Sequence, residues 1–567
     1  MTKQAGGPQD AIAFLEPVLA ERERTLGAEH PDTLASRGNL ANAYQAAGRT
    51  QDAIALYERL LADRERILGA EHPNVLASRY NLAGAYQSAA RTRDAITILE
   101  PLVADLERIL GPEHPNTLST RGILANAHQA AGSAQDAITI FEPLLADLER
   151  TLGAQDPNTL ASRGNLANAY QAAGRTQDAI TIFKALLVDL ERSLGPEHPN
   201  TLSTRGNLAN AYQDAGNADD AIALLESLLA DLERALGAQH PNTLRTRNNL
   251  ANAHQAAGRT QDAIVIYEPL LADQERMLGA RHPNTLRTRG NLANAYRAAG
   301  GADDAIAIYE PLLADHQRTL GPQHPDTLAS RGNLANAYQT AGRTGDAIEI
   351  FEPLVTDLER VLGAEHPDTL GSRGNLANAY QDAGRTQDAI KIFEPLLADI
   401  ERVLGAEHPD MLGIGASLAN AYQAAGRTPD ALAIFEPLLA DLERILGDEH
   451  PDTLATRASL ANAYQAAGRL DDALALLEPL LADRERILGA VHPNTLSTRG
   501  TIANAYLAAE RADDAIAILE SLLADLEATF GPEHPNTIGT AKNLANARKE
   551  AGGTTDPDAP GTLGDWD

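Results

Sequence analysis

The chain has no cysteine among its 567 residues, which excludes disulfides and thiolate metal sites from the outset. Aromatic residues make up only 4% of it, with a single tryptophan, and the 43% hydrophobic fraction rests mostly on Ala and Leu. Such a composition suits helices packed through small side chains. Basic charge is scarce: 47 Lys and Arg stand against 78 Asp and Glu, for a formal net charge of -31. A field of that sign repels phosphate backbones and anionic lipid surfaces, so neither nucleic acid nor membrane is expected as a partner. No run of 18 apolar residues occurs, and the opening MTKQAGGPQD has no basic segment leading into an apolar one. A soluble, cytoplasmic protein is expected.

Periodicity is what the chain has in abundance. His-Pro returns every 42 residues from His30 to His534, with Asp156-Pro157 in one of the thirteen places. A fixed period of this length marks a solenoid, in which each repeat buries its apolar face only against its neighbours. In the copy that opens at His30, apolar residues fall at Leu34, Leu40, Ala41 and Tyr44, then at Ala53, Ile54, Tyr57, Leu60, Leu61 and Ile67. That is helical spacing, twice. Pro31 suits the first helical position and Gly48 the residue past the end, which places helix A at about 31–47. Thr50 is expected to cap helix B, about 51–68, with Asp52 at the positive end of its dipole and Gly69 closing it. The histidines lie one per repeat, too far apart to share a tetrahedral metal site. The one replacement is Asp, a stronger helix N-cap, so the histidines are expected to cap helix A.

The pattern Leu40-Ala41-x-x-Tyr44 followed by Ala53-x-x-x-Tyr57, repeated throughout, resembles the tetratricopeptide repeat. The 42-residue period, opened by His-Pro-Asp or His-Pro-Asn, is similar to the kinesin light chain variety and to repeats of bacterial multidomain proteins. The resemblance covers about residues 8–551. It implies an all-α fold, a right-handed α-solenoid or superhelix of antiparallel helix pairs, with helix A lining the concave face. It also implies a protein or peptide ligand there, no cofactor and no metal. The chain is then either a scaffold in its own right or the sensor arm of a larger protein. Pro17, Pro101, Pro143, Pro269, Pro311, Pro353, Pro395, Pro437 and Pro479 fall inside helix B, where each removes a hydrogen bond and is expected to bend the helix.

The solenoid is expected over residues 1–551, starting on a helix B (about 9–26) and ending on a helix A (about 535–551). The last helix carries Lys542, Arg548 and Lys549, which make its outer face polar. The first shows Ile12, Leu15 and Leu19 without such protection, so either a preceding segment is missing or a partner or second protomer covers it. Head-to-tail self-association would join A to B, although Arg548 argues against it. Residues 552–567, GGTTDPDAPGTLGDWD, are expected to form a disordered acidic tail. Its end, Leu563 to Asp567 around Trp566, faintly resembles the tryptophan-acidic peptides bound by kinesin light chains, and tethering could bring it to a groove.

On helix A the face opposite the packing stripe carries Ala35, Gly38, Asn39, Asn42, Gln45 and Ala46. Asn recurs at the Asn42 position in twelve of thirteen copies and at the Asn39 position in nine. Amides offer both donors and acceptors, so the ladder matches the backbone of an extended peptide, while a solvated face or bridges between neighbouring helices are the plainer readings. The ligand-contacting set reads Asn207, Asn210, Asn249, Asn252, Asn291, Asn294, Asn333 and Asn336. Arg245 and Arg287 break the run of Ala, Ser and Gly at the Ala35 position, and Arg297 replaces the usual Gln. Between residues 239 and 300 eight Arg face four acids, a net of 8 − 4 = +4 in a chain of -31. An acidic ligand, with an aromatic beside its carboxylates, would be steered there and gripped in bidentate fashion; a solvated charge cluster is the alternative. The regular arginine at Arg37 and its equivalents lies beside the packing stripe and is expected to cover apolar surface and pair with helix B acids. The ADLER and ADRER runs, such as Asp63, Glu65 and Arg66, read as solvated helix faces. Tyr80 beside Gly84, and Met411 to Ser417, are deviant stretches that either make apolar dimples or reflect mere drift of the repeat. No GxxxxGK loop or GxSxG elbow occurs, and an enzyme is not expected.

Overall fold

The computed structural model describes residues 7–405 and 408–551. The tail, residues 552–567, lies outside the described residues, and with it the tail-peptide reading. Among the described residues there are 26 α-helices and no strand, from α1 (Pro8–Thr25) to α26 (Pro535–Ala551). The protein is an all-α solenoid. Contacts divide it into two compact units, Met1–Ala295 and Tyr296–Asp567, and within each unit successive helices pack in pairs.

One repeat is represented by α2 (Pro31–Ala46) and α3 (Thr50–Leu68). His30 caps α2: its Nδ1 accepts from the Asp32 amide at 3.2 Å. Asp156 performs the same task for α8 (Pro157–Ala172), its carboxylate accepting from the Asn158 amide at 2.8 Å. The histidine ladder is thus a row of caps, each satisfying one orphan N–H at a helix start. Thr201, three residues into its helix, adds a second tie by donating to the Gly195 carbonyl at 2.8 Å, which fastens helix A to the helix B before it.

Thr50 does not cap α3. It is the first helical residue and donates only to Gly48. The turn is instead closed by backbone, the Arg49 amide donating to the Tyr44 carbonyl at 2.9 Å, with Gly48 in the left-handed region at φ +74°. Ala90 and Glu510 hold that same conformation with side chains, at a cost glycine avoids. Helix B continues unbroken through Pro101, Pro143 and the other internal prolines.

The helices of a pair meet through alanine. Ala41 and Ala53 are fully buried, as are Ala209, Ala211 and Ala221. A methyl at the contact lets backbones approach, and Tyr57, Phe141 or Phe183 fills the space beside it. A second joint lies between helix A and the preceding helix B: the Tyr44 hydroxyl donates to Glu16 at 2.6 Å and the Arg49 guanidinium stacks on its ring at 4.2 Å. The hydrogen bond to Glu16 holds the Tyr44 hydroxyl above its ordinary range.

Every regular arginine is consumed by structure. Arg37 is fully buried and bridges Glu23 at 2.9 Å and Asp63 at 2.6 Å, one acid on each flanking helix B. Arg331 is 2.6 Å from Asp357, and its hydrogen bond holds that carboxyl below the usual carboxylate range. The ADLER and ADRER runs are therefore not simply solvated faces. Asp63 belongs to Arg37, Glu65 is 2.7 Å from Arg79 of the next copy, and the central residue turns inward. Leu106 and Leu148 are buried there, while Arg64 reaches Ser78 Oγ at 2.8 Å.

Candidate functional site

Within the first unit, α10 (Pro199–Asp214), α11 (Ala218–Leu236) and α12 (Pro241–Ala256) enclose a notch of about 430 Å³. Its floor is Leu228 and Leu232 of helix B, and its walls are the facing halves of two successive helices A. Asn207, Asn210, Arg245 and Asn249 all line it. Four residues singled out from their place in the repeat therefore converge on one cavity.

The amides are partly spent on each other. Asn249 Nδ2 donates to Asn210 Oδ1 at 3.2 Å, and Asn291 Nδ2 donates to Asn252 Oδ1 at the same distance. Asn291 also reaches Asn248 Oδ1 at 3.4 Å. The Tyr267 hydroxyl donates to Asn252, as Tyr57 does to Asn42. Burial pushes the Tyr57 hydroxyl up to about 12 and that of Tyr267 further in the same direction. The ladder is thus a chain of bridges between neighbouring copies. The ladder still has unused capacity: Asn210 has its Nδ2 to offer, and Asn210, Asn249, Asn252 and Asn291 are half-buried rather than sealed.

The basic patch contracts because most of its eight arginines are already engaged. Arg247 pairs with Glu233 at 2.6 Å and Asp273 at 3.3 Å, Arg259 with Asp219 at 2.6 Å, Arg276 with Asp273, and Arg289 with Glu275 at 2.9 Å. Arg245 is exposed and has no hydrogen bond or ion pair among the described residues. Arg287, on α14 (Pro283–Ala298), is exposed as well and touches only Asn284 Oδ1 at 3.4 Å. The one acid on the rim of the notch, Glu197, is held by Arg234 at 3.2 Å. What looked like a net of +4 spread over some sixty residues reduces to two free guanidinia at equivalent positions of adjacent copies.

Arg297 belongs to the second unit and is half-buried, close enough to Tyr309 for its charge to act on that hydroxyl, which burial raises. Also in the second unit, Asn333 and Asn336 line an equivalent notch of about 310 Å³ with Leu358, Leu362 and Asn375. Asn294 is half-buried on α14.

Sequence reasoning passed over the last leucine of helix B. Leu110 and Leu236, 40% and 44% exposed, line the notches in their copies. The signal was present in the Leu-Gly that ends almost every helix B, read only as a helix terminus. Among the described residues no three of His, Asp and Glu are grouped to hold a metal ion. No described helix is long and apolar enough to cross a membrane.

A helical repeat pair with buried alanines at the crossing and a notch between successive first helices defines a tetratricopeptide-type scaffold. The tetratricopeptide repeat family model matches residues 2–66, 39–103, 117–187, 184–233, 201–275, 284–353, 414–482 and 458–528, and a second tetratricopeptide repeat model matches 369–410. The chain belongs to the tetratricopeptide repeat family. Two crystal structures of nearly identical TPR-like repeats, assigned to a kinesin light chain of Podosopora anserina, are similar to it at 33% and 36% identity. The matches cover 36% of this chain and 96% and 98% of theirs, with a TM-score of 0.34 in both cases. BtubC (BKLC) from P. vanneervenii is 21% identical over 41% of this chain and 94% of its own, with a TM-score of 0.35. No curated protein matches. Repeats of this family suggest a protein–protein interaction scaffold.

Proposed function

We propose that the chain is a non-enzymatic scaffold that receives an extended, acidic protein segment along the helix A face. The observation that carries this reading is Arg245. In a chain where the regular arginines are buried in ion pairs, a guanidinium without a carboxylate stands on the rim of an amide-lined notch, with Arg287 repeating it one copy on. A carboxylate is the group that planar fork fits best. The amides of Asn207, Asn210 and Asn249 would bond the segment's backbone, and the negative field elsewhere would steer it to this place.

The test is selection of random displayed peptides on the full chain. Enrichment of Asp and Glu is expected; a selected pool with no acidic bias would sink the acidic-segment reading.

A second reading is self-association through α1. Phe14 is 69% exposed there, whereas its equivalents Ile98 and Ile140 pack against the core. Light scattering over a concentration series should show growth that Phe14→Asp abolishes. A mass that stays monomeric throughout removes this reading.

A further inference from the structure

The copy that opens at His72 departs from the register three times around one place. Tyr80 stands where Gly38, Gly122, Gly164 and Gly206 lie, and Gly84 takes the place of the ladder asparagine. One copy on, Ile123 replaces the asparagine that would pair with it. At the glycine position the helix B leucine is close: a Cβ would meet Leu60 Cδ2 at 3.3 Å at Gly38 and Leu186 Cδ2 at 3.4 Å at Gly164. A side chain at this position has little room toward helix B, and Tyr80, 38% exposed, lines the notch.

That notch, between α4 (Pro73–Ser88), α5 (Thr92–Leu110) and α6 (Pro115–Ala130), measures about 580 Å³ against about 430 and 310 Å³ at its equivalents. Leu76, Tyr80, Leu102, Leu106, Ile109 and Leu110 form its apolar wall. The amide bridge seen at Asn210 and Asn249 has no counterpart, since Gly84 and Ile123 have no amide side chain. Its charge is also different: Ala77 and Ser119 occupy the two positions equivalent to Arg245, and the rim acid Glu71 is neutralised by Arg108 at 2.8 Å. A neutral, apolar cavity desolvates a neutral, apolar group at least cost and a charged one at most.

We propose that this notch is a separate subsite for an uncharged aromatic or branched aliphatic side chain of a protein ligand, three copies before the notch that Arg245 lines. The inference rests on the scaffold reading above but not on the arginines. The fold does not require these three residues, because the other copies pack without them. What they change is the notch, which becomes larger and more apolar and loses the amide bridge across it, leaving Asn81 and Asn116 in its lining.

Because every consensus residue is already tolerated in other copies, the variant Tyr80→Gly, Gly84→Asn, Ile123→Asn should fold. A Cβ at Gly84 meets only Gln45 Nε2, at 3.9 Å. Random displayed peptides are selected in parallel on the full wild-type chain and on this variant. The wild type is expected to enrich Phe, Leu or Ile, and the selected peptides are expected to bind the variant about tenfold or more weakly by fluorescence anisotropy. Equal apolar enrichment and equal affinity on both proteins would overturn the subsite while leaving an acidic bias, and with it the scaffold reading, in place. A selection that yields no peptide on either protein would overturn both.

Discussion

Replacing Arg245 and Arg287 together by glutamate is expected to weaken the selected acidic peptides about 100-fold or more. Each guanidinium that grips a carboxylate contributes a charge-assisted bond of about 1.5–3 kcal/mol, and reversal adds repulsion where there was attraction. The fold should not suffer, since both side chains are exposed and neither forms an ion pair. Ala and Ser already occupy this position in other copies, so the alanine pair serves as an intermediate. Anisotropy titrations at two ionic strengths give the measurement: wild-type affinity falls with salt, while the reversed variant is weak at both. Unchanged affinity in the glutamate pair would remove these residues from the site. By contrast, Arg247→Ala strips a guanidinium from Glu233 and Asp273, and its effect belongs to stability.

Truncating Phe351 to alanine is expected to destabilise the second unit by about 3–5 kcal/mol, the usual cost of emptying a buried aromatic site. Phe351 is fully buried on α17 (Thr344–Val361), where its ring fills the space beside the buried Ala347. In a solenoid each repeat is stabilised by its nearest neighbours alone, so the loss stays local and uncouples the array. Urea unfolding followed by circular dichroism should split into two transitions in the variant. A single transition shifted by less than about 1 kcal/mol would mean that the chain relaxes around the cavity.

Much of the architecture was legible because it is written thirteen times. The two helical periods, Pro31 and Gly48 at their ends, the capping role that Asp156 revealed for the histidines, and the ion pairing of Arg37 all follow from one copy read against the others. The misreadings came where a residue's neighbours are distant in sequence. Thr50 has the chemistry of a cap, yet the tight turn spends its backbone bonds on Tyr44 and leaves the hydroxyl at Gly48. Asp63 and Glu65 look solvated along their own helix, but their partners sit 26 and 14 residues away on others.

The candidate site shows the same division. Sequence marked Asn210, Arg245 and Asn249 as unusual or recurrent, and could not say that Asn249 donates to Asn210 across 39 residues, or that Arg247 is occupied while Arg245 is free. Local spacing determined the helices, their caps and the period, because those depend on residues within a turn or two of each other. Only tertiary structure decided which charges cancel, which amides pair and where the notches open, because those partners lie on different helices, within a copy and between copies, and packing rather than local spacing sets their distances.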